Sequence, residues 1–218
     1  MRKKGVEMSV LLSQHWDIIH GKHEEYAEFV KEKYIYQCKL LGFHVVGGFY
    51  VVIGPGPRVL AVMTTEEYDQ MEKLMRNPKF KDLTEELKHY TYNHAYKILT
   101  PTGRVPAKKY TVQKSVWKFT QYYDIVPGAW KEYADFVVHE YIPTFKKTGL
   151  LEITGGWNVV LGDGPKIVSE FSAPNATSIG RLFDNDDFRR ITKELKTKYV
   201  TNYSSRMLCP TERFGGPA

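Results

Sequence analysis

Apolar residues fall at helical spacing in two long stretches of this chain, and the two stretches match. From Asp17 to Gly42 the sequence reads DIIHGKHEEYAEFVKEKYIYQCKLLG, and Tyr26, Phe29, Val30 and Tyr34 make one apolar stripe. From Asp124 to Gly149 it reads DIVPGAWKEYADFVVHEYIPTFKKTG. Asp17, Ile18, Gly21, Glu25, Tyr26, Ala27, Phe29, Val30, Tyr34, Ile35, Lys39 and Gly42 each recur as the same residue 107 positions later. Two unrelated helices can share a periodicity, but twelve identities at one offset mark a duplication. Gly42 and Gly149 stand where a left-handed residue ends a helix. Pro143, inside the second stretch, should kink or divide it.

Strand patterns surround each helix. Ser9–Trp16 and Val116–Tyr123 are short and rich in β-branched and aromatic residues, as first strands are. Val45–Ile53 and Ile153–Leu161 are continuous apolar runs. GPGP (54–57) and GDGP (162–165) separate them from Val59–Met63 and Ile167–Phe171, which predicts a hairpin in each copy. Glu66–Arg76 and Asn175–Asp184 predict a second helix. Pro78–His89 and Asp186–Lys198 predict a short third one, and Tyr92–Leu99 and Thr201–Leu208 predict a closing strand. The order is β-α-β-β-α-β twice, the ferredoxin-like split arrangement in the α+β class. Its helices cover one face of an antiparallel sheet. Two copies can bury their bare faces by facing each other, which predicts an α/β barrel within one chain. The expected division is a first repeat over 1–104, a linker over 105–114 containing Pro106, Lys108 and Lys109, and a second repeat over 115–218 with a short tail.

Composition narrows the class. The 218 residues are 42% hydrophobic and 26% charged, enough for a real core in a soluble protein. No stretch has the roughly 20 apolar residues of a membrane span. MRKKGVEMSVLL lacks a small-residue cleavage signal, so it predicts no secretory leader. Cys38 and Cys209 fall at non-equivalent positions of the copies, which argues against a disulfide framework and for a cytosolic setting. Part of the net charge of +6 comes from Arg2-Lys3-Lys4 and Lys108-Lys109, a solvated flank and a linker, with no nucleic-acid reader motif beside them.

The chain resembles the dimeric α/β-barrel superfamily, and within it the NIPSNAP-like and EthD-like branches. The resemblance is carried by Pro127-Gly128-Ala129-Trp130-Lys131-Glu132-Tyr133, by the helix ending in Lys-x-x-Gly, and by the Gly-Gly strand with its GxGP hairpin. The first copy departs from it, with His20-Gly21 in place of Pro-Gly. The resemblance implies paired sheets forming a barrel. It also implies a range of activities: cofactor-free monooxygenases, isomerases, decarboxylating enzymes and haem proteins of the chlorite-dismutase type.

Motifs with their own chemistry are few. The glycine-rich turns precede strands, whereas a phosphate cradle needs a helix behind it. The histidines show no zinc-binding helical spacing, and there is no nucleophile elbow, Walker motif or dinucleotide fingerprint. Glu24-Glu25 and Glu66-Glu67 open helices, where acids suit the dipole. One constellation emerges from aligning the copies. His15 corresponds to Tyr122 and His94 to Tyr203, on strands that should be antiparallel neighbours. Leu11, Ser13 and His15, with Lys118, Thr120 and Tyr122, form the more polar face of the first strands. Alternation therefore predicts His15, His94, Tyr122 and Tyr203 in the barrel lumen. There they could orient and deprotonate a phenol or enol, the histidines could share a metal, or all four could be satisfied polar residues in a wet interior. Glu170, where the first copy has Val62, is a further candidate, either protecting a sheet edge or serving as a buried functional carboxylate. The leading expectation is a cofactor-independent oxygenase or isomerase acting on an aromatic or polyketide-like ligand in the lumen. The alternatives are a haem protein with His94 or His15 as axial ligand, and a non-catalytic homo-oligomeric scaffold.

Overall fold

The computed structural model describes residues 9–105 and 116–211. The expected linker, apart from Val105, lies outside the described residues, as do Arg2-Lys3-Lys4 and the tail after Thr211. The first half runs β1 (Val10–Ile18), α1 (His23–Glu28), a π-helical segment (Phe29–Tyr34), α2 (Ile35–Leu41), β2 (His44–Ile53), β3 (Val59–Thr65), α3 (Tyr68–Arg76), α4 (Pro78–Leu87) and β4 (Thr91–Pro101). The second half repeats that order with β5 (Trp117–Ile125), α5 (Trp130–Phe136), a π segment (Val137–Tyr141), α6 (Ile142–Thr148), β6 (Glu152–Leu161), β7 (Ile167–Ala173), α7 (Ala176–Asp184), α8 (Asp186–Glu194), a third π segment (Leu195–Tyr199) and β8 (Val200–Thr211). The Gly/Pro turns join β2 to β3 and β6 to β7 as hairpins. Pro143 sits in the first turn of α6, where its missing N–H is no loss. It does not cause the break before it, because the first half makes the same π segment without a proline.

The two four-stranded sheets do not stack as separate layers facing each other. They join edge to edge into one closed ring, β1-β3-β2-β8-β5-β7-β6-β4. The reason lies in the edges. Alone, the first half would leave β2 and β4 with a row of unpaired backbone groups each, and the second half β6 and β8. Pairing β2 with β8 and β4 with β6 satisfies all four. Gly54 makes one of these seams possible: at φ 118° its missing Cβ would lie 2.5 Å from the Ser205 carbonyl oxygen of β8.

Strand alternation separates three cores. Val10, Leu12 and Trp16 pack under the first half's helices with Tyr26, Phe29, Val30 and Tyr34. Phe119 and Tyr123 do the same in the second half with Tyr133, Phe136 and Tyr141. The opposite strand faces meet inside the ring, where Leu11, Phe49, Val62, Trp157, Val168 and Leu208 belong to one cluster drawn from both halves. The lumen is therefore largely a packed core. Among the described residues no helix is long and apolar enough to cross a membrane.

Candidate functional site

His15 and Tyr122 lie in the lumen, as alternation predicts. The His15 Nδ1 accepts from the Arg206 guanidinium at 3.2 Å, which places the ring proton on Nε2, 2.9 Å from Ser13 Oγ. The same guanidinium lies 4.9 Å from the centre of the Tyr122 ring. Burial, then the Arg206 and Lys97 charges, lower the His15 pKa to about 3. With both nitrogens engaged, His15 is a neutral structural group and has no lone pair left for a proton or a metal. Its folded pKa is below the unfolded value of 6.5. Between those values the unfolded chain binds the extra proton, so the stability is complete above about pH 6.5 and is lost as pH falls towards 3. His15→Gln should flatten that acid limb in urea melts taken across this window; an unchanged limb would show that His15 is not buried neutral.

Glu170 also faces the lumen. Its strand β7 lies between β5 and β6, so edge protection does not explain it. Its carboxylate lies 3.0 Å from Lys118 Nζ and accepts from Thr154 Oγ1 at 2.9 Å. The Lys118 ammonium sits 4.5 Å from the centre of the Phe49 ring, contributed by the other half, and burial lowers its pKa.

His94 and Tyr203 do not join this group, and this corrects the sequence expectation. His15 is opposite Ala95, and Tyr122 is opposite Ser204, so both expected partners stand one residue out of register. A one-residue offset moves a side chain to the other face of a sheet. His94 therefore lies beneath the first half's helices, stacked on Tyr96 and against Trp16, with Nε2 3.0 Å from Thr91 Oγ1. Its pKa is lowered, chiefly by burial. Tyr203 stacks on Tyr123 under the second half's helices and accepts from Gln121 Nε2 at 3.0 Å. Asp17 and Asp124 hold these strand starts. Each accepts from the backbone N–H of Arg58 or Lys166, and from the amide of Asn93 or Asn202. Both asparagines have positive φ, a conformation that Asn tolerates better than most residues.

The helix side of the second half holds a cleft with about 430 Å³ of empty space, part of it open to solvent. Tyr123, Tyr133, Tyr141, Ser169, Thr102 and Arg104 supply its polar wall. Tyr123 Oη is 3.0 Å from Tyr133 Oη and 2.8 Å from Ser169 Oγ, and Tyr141 Oη donates to Gln121 Oε1 at 2.9 Å. Burial raises the pKa of all three phenols, so they are neutral hydroxyls at physiological pH. Arg104 arrives from the first half, on the segment after β4. Thr102 N–H anchors that segment to the Gly156 carbonyl at 2.8 Å, and a Cβ on Gly156 would come within 3.0 Å of Thr102 Oγ1. The guanidinium carbon lies 5.5 Å from the Trp130 ring centre and 5.3 Å from that of Tyr133. The first half has Trp16 and Ala61 in place of Tyr123 and Ser169, both fully buried. Sequence reasoning passed over this cleft. Its trace was present in the two substitutions under the repeated helix.

No known sequence family and no curated protein matches this chain. Solved structures do match it along nearly its whole length. One, described as a candidate monooxygenase from Lactobacillus acidophilus NCFM, has a TM-score of 0.64 at 12% identity, covering 94% of each chain. An anthrone oxidase-like protein has 0.61 at 10% identity, over 94% of this chain and 92% of its own. A heme-binding protein from Thermus thermophilus has 0.58 at 12% identity, over 95% and 92%. The fold defines the class: an α+β protein of the ferredoxin-like barrel kind, shared with monooxygenase-like and heme-binding structures. Identities this low establish the fold alone.

Neither histidine expected as an axial haem ligand, His15 or His94, is placed to serve as one. An axial ligand needs a nitrogen, sulfur or oxygen facing open space. Both His15 nitrogens are engaged inside a packed lumen, and His94 is held between Thr91 and Tyr96 against Trp16. The described lining of the cleft contains neither histidine nor cysteine, and its tyrosines are neutral and hydrogen-bonded to one another or to Gln121. Among the described residues no group of three His, Cys, Asp or Glu could hold a metal ion.

Proposed function

We propose that this chain binds a small aromatic molecule in the cleft beneath α5 and its π segment, on the outside of the barrel in the second half. The observation that carries this reading is the contrast between halves. Equivalent helices cover equivalent strands, yet the second half presents Tyr123 and Ser169 beside open space where the first presents the buried Trp16 and Ala61. Aromatic walls with a few convergent polar groups are what small-molecule sites share. The two halves are read as tandem domains over 1–104 and 115–218. The Pro127-Gly128 turn and the GxGP hairpins support a place near the NIPSNAP-like and EthD-like branches.

The cleft's chemistry is that of proton donors and one cation. Its described lining offers no group that titrates near neutrality, so the base expected of the lumen histidines has no counterpart here. An enzymatic form of the reading, cofactor-independent oxygenation or isomerisation of an enol or phenol, would use the hydroxyls to stabilise a developing oxyanion. The test installs the first half's residues in the second. The double substitution Tyr123→Trp with Ser169→Ala should fill the cleft and keep the fold, because the same pair packs under the same helix in the first half. Calorimetric titration with benzoate, benzamide and phenol should show saturable binding to the parent chain and none to the double variant. Equal binding by both proteins would place the ligand elsewhere.

A second reading, a homo-oligomeric scaffold, is supported by one observation. Val52-Ile53 and Val160-Leu161, at equivalent ends of β2 and β6, are exposed apolar pairs beside the two seams.

A further inference from the structure

We infer that the cleft selects small aromatic anions over their neutral analogues, with Arg104 reading the charge; this rests on the cleft being the ligand site proposed above. The charge balance of the wall is one-sided. Its described lining contains Arg104 and no aspartate or glutamate, and among the described residues no carboxylate lies within ion-pair distance of that guanidinium. Arg104 is only partly buried, held by the rings of Trp130 and Tyr133 rather than by a counter-ion. A guanidinium carries its N–H donors in its own plane. The rings attract the guanidinium's charge without taking its in-plane N–H groups as a carboxylate would, which leaves those donors for an acceptor that matches them with two bonds.

The hydroxyls point the same way by counting protons. Tyr133, Tyr123 and Ser169 form a chain of three hydroxyls with two links. Three protons serve two bonds, so one O–H of the three, at an end of the chain or at Tyr123 in its middle, has a proton to give to a ligand oxygen. The raised phenol pKa values mean that none of the tyrosines ionises to neutralise Arg104 itself. A cation, a spare donor and flat aromatic walls together describe the complement of an aromatic ring bearing an anionic oxygen.

Benzoate and benzamide share one shape and differ in charge, so their ratio of affinities isolates this claim. In calorimetric titrations at fixed ionic strength, benzoate should bind the parent chain about tenfold or more tighter than benzamide. Arg104→Gln should bring the ratio to about one by weakening benzoate much more than benzamide, and Arg104→Lys should keep part of it. Thermal melts of both variants would show that the partly buried position tolerates them. The Tyr123→Trp, Ser169→Ala protein keeps the same net charge and so controls for attraction to the basic surface as a whole. If benzamide binds as tightly as benzoate and this double variant loses both, the cleft is the site and the charge selection is wrong. If the double variant retains both, or the parent chain binds neither, the site reading itself is overturned.

Discussion

Glu170→Val alone should destabilise the protein by about 3–5 kcal/mol, the usual cost of removing one partner from a buried ion pair. The side chains concerned are almost out of water: Lys118 is 0% and Glu170 8% exposed. Taking away the carboxylate removes a counter-ion of a buried ammonium, and the attraction of the Phe49 ring, worth about 2 kcal/mol when desolvated, is too little to replace it. The first half shows what the interior accepts instead. Leu11 and Val62 occupy the positions equivalent to Lys118 and Glu170, and both are buried in the lumen cluster. Lys118→Leu combined with Glu170→Val should therefore recover most or all of the loss, because well-packed apolar replacements of buried ion pairs are often neutral or stabilising. Urea melts of the two single variants and the double variant measure this directly. A Glu170→Val cost well under 1 kcal/mol would mean that the pair is not a buried charge pair. A double variant as unstable as the worse single one would mean that the lumen cannot repack.

Phe136→Ala and Phe29→Ala should each cost about 3–5 kcal/mol, the range for deleting a buried phenyl ring where the surroundings cannot collapse. The positions are equivalent in the two halves and nearly inaccessible, at 2% and 6% exposed. Phe136 stacks on Tyr199 with ring centres 4.7 Å apart, and Phe29 stacks on Tyr90 at 5.0 Å. Each phenylalanine ties the repeated helix to the residues that lead into the half's last strand, so truncation removes contacts on both sides. Losses below 1 kcal/mol in both variants would show that the apolar stripe faces away from the sheet.

That stripe was legible in the chain because a helix repeats every 3.6 residues and the identities 107 positions apart show the pattern twice. The strand order was legible for the same reason, and period-two alternation placed His15 and Tyr122 in the lumen, while Glu170 stayed open between a sheet edge and a buried site. The same alternation misplaced His94 and Tyr203. A strand's own sequence shows which residues share a face; it does not show which residue stands opposite which on the neighbour. Here the register is held by Asp17 with Asn93 and by Asp124 with Asn202, through side-chain bonds between residues far apart in the chain. The recurrence of all four residues was visible, but their role depends on left-handed backbone at the asparagines. The joining of β2 to β8 and β4 to β6 was likewise hidden, because edges recognise each other through backbone groups common to every residue. The cleft left a fainter mark. Trp16 against Tyr123 and Ala61 against Ser169 are small marks of the difference between an occupied space and an open one, and Arg104 reaches it from outside the half it serves.

The location of a bound ring tests the account most directly. Intermolecular nuclear Overhauser effects from the ring protons of bound benzoate should reach the aromatic protons of Tyr133 and Tyr141 in the cleft. Effects to Tyr122 and His15 instead would place the ligand inside the barrel and contradict a packed lumen.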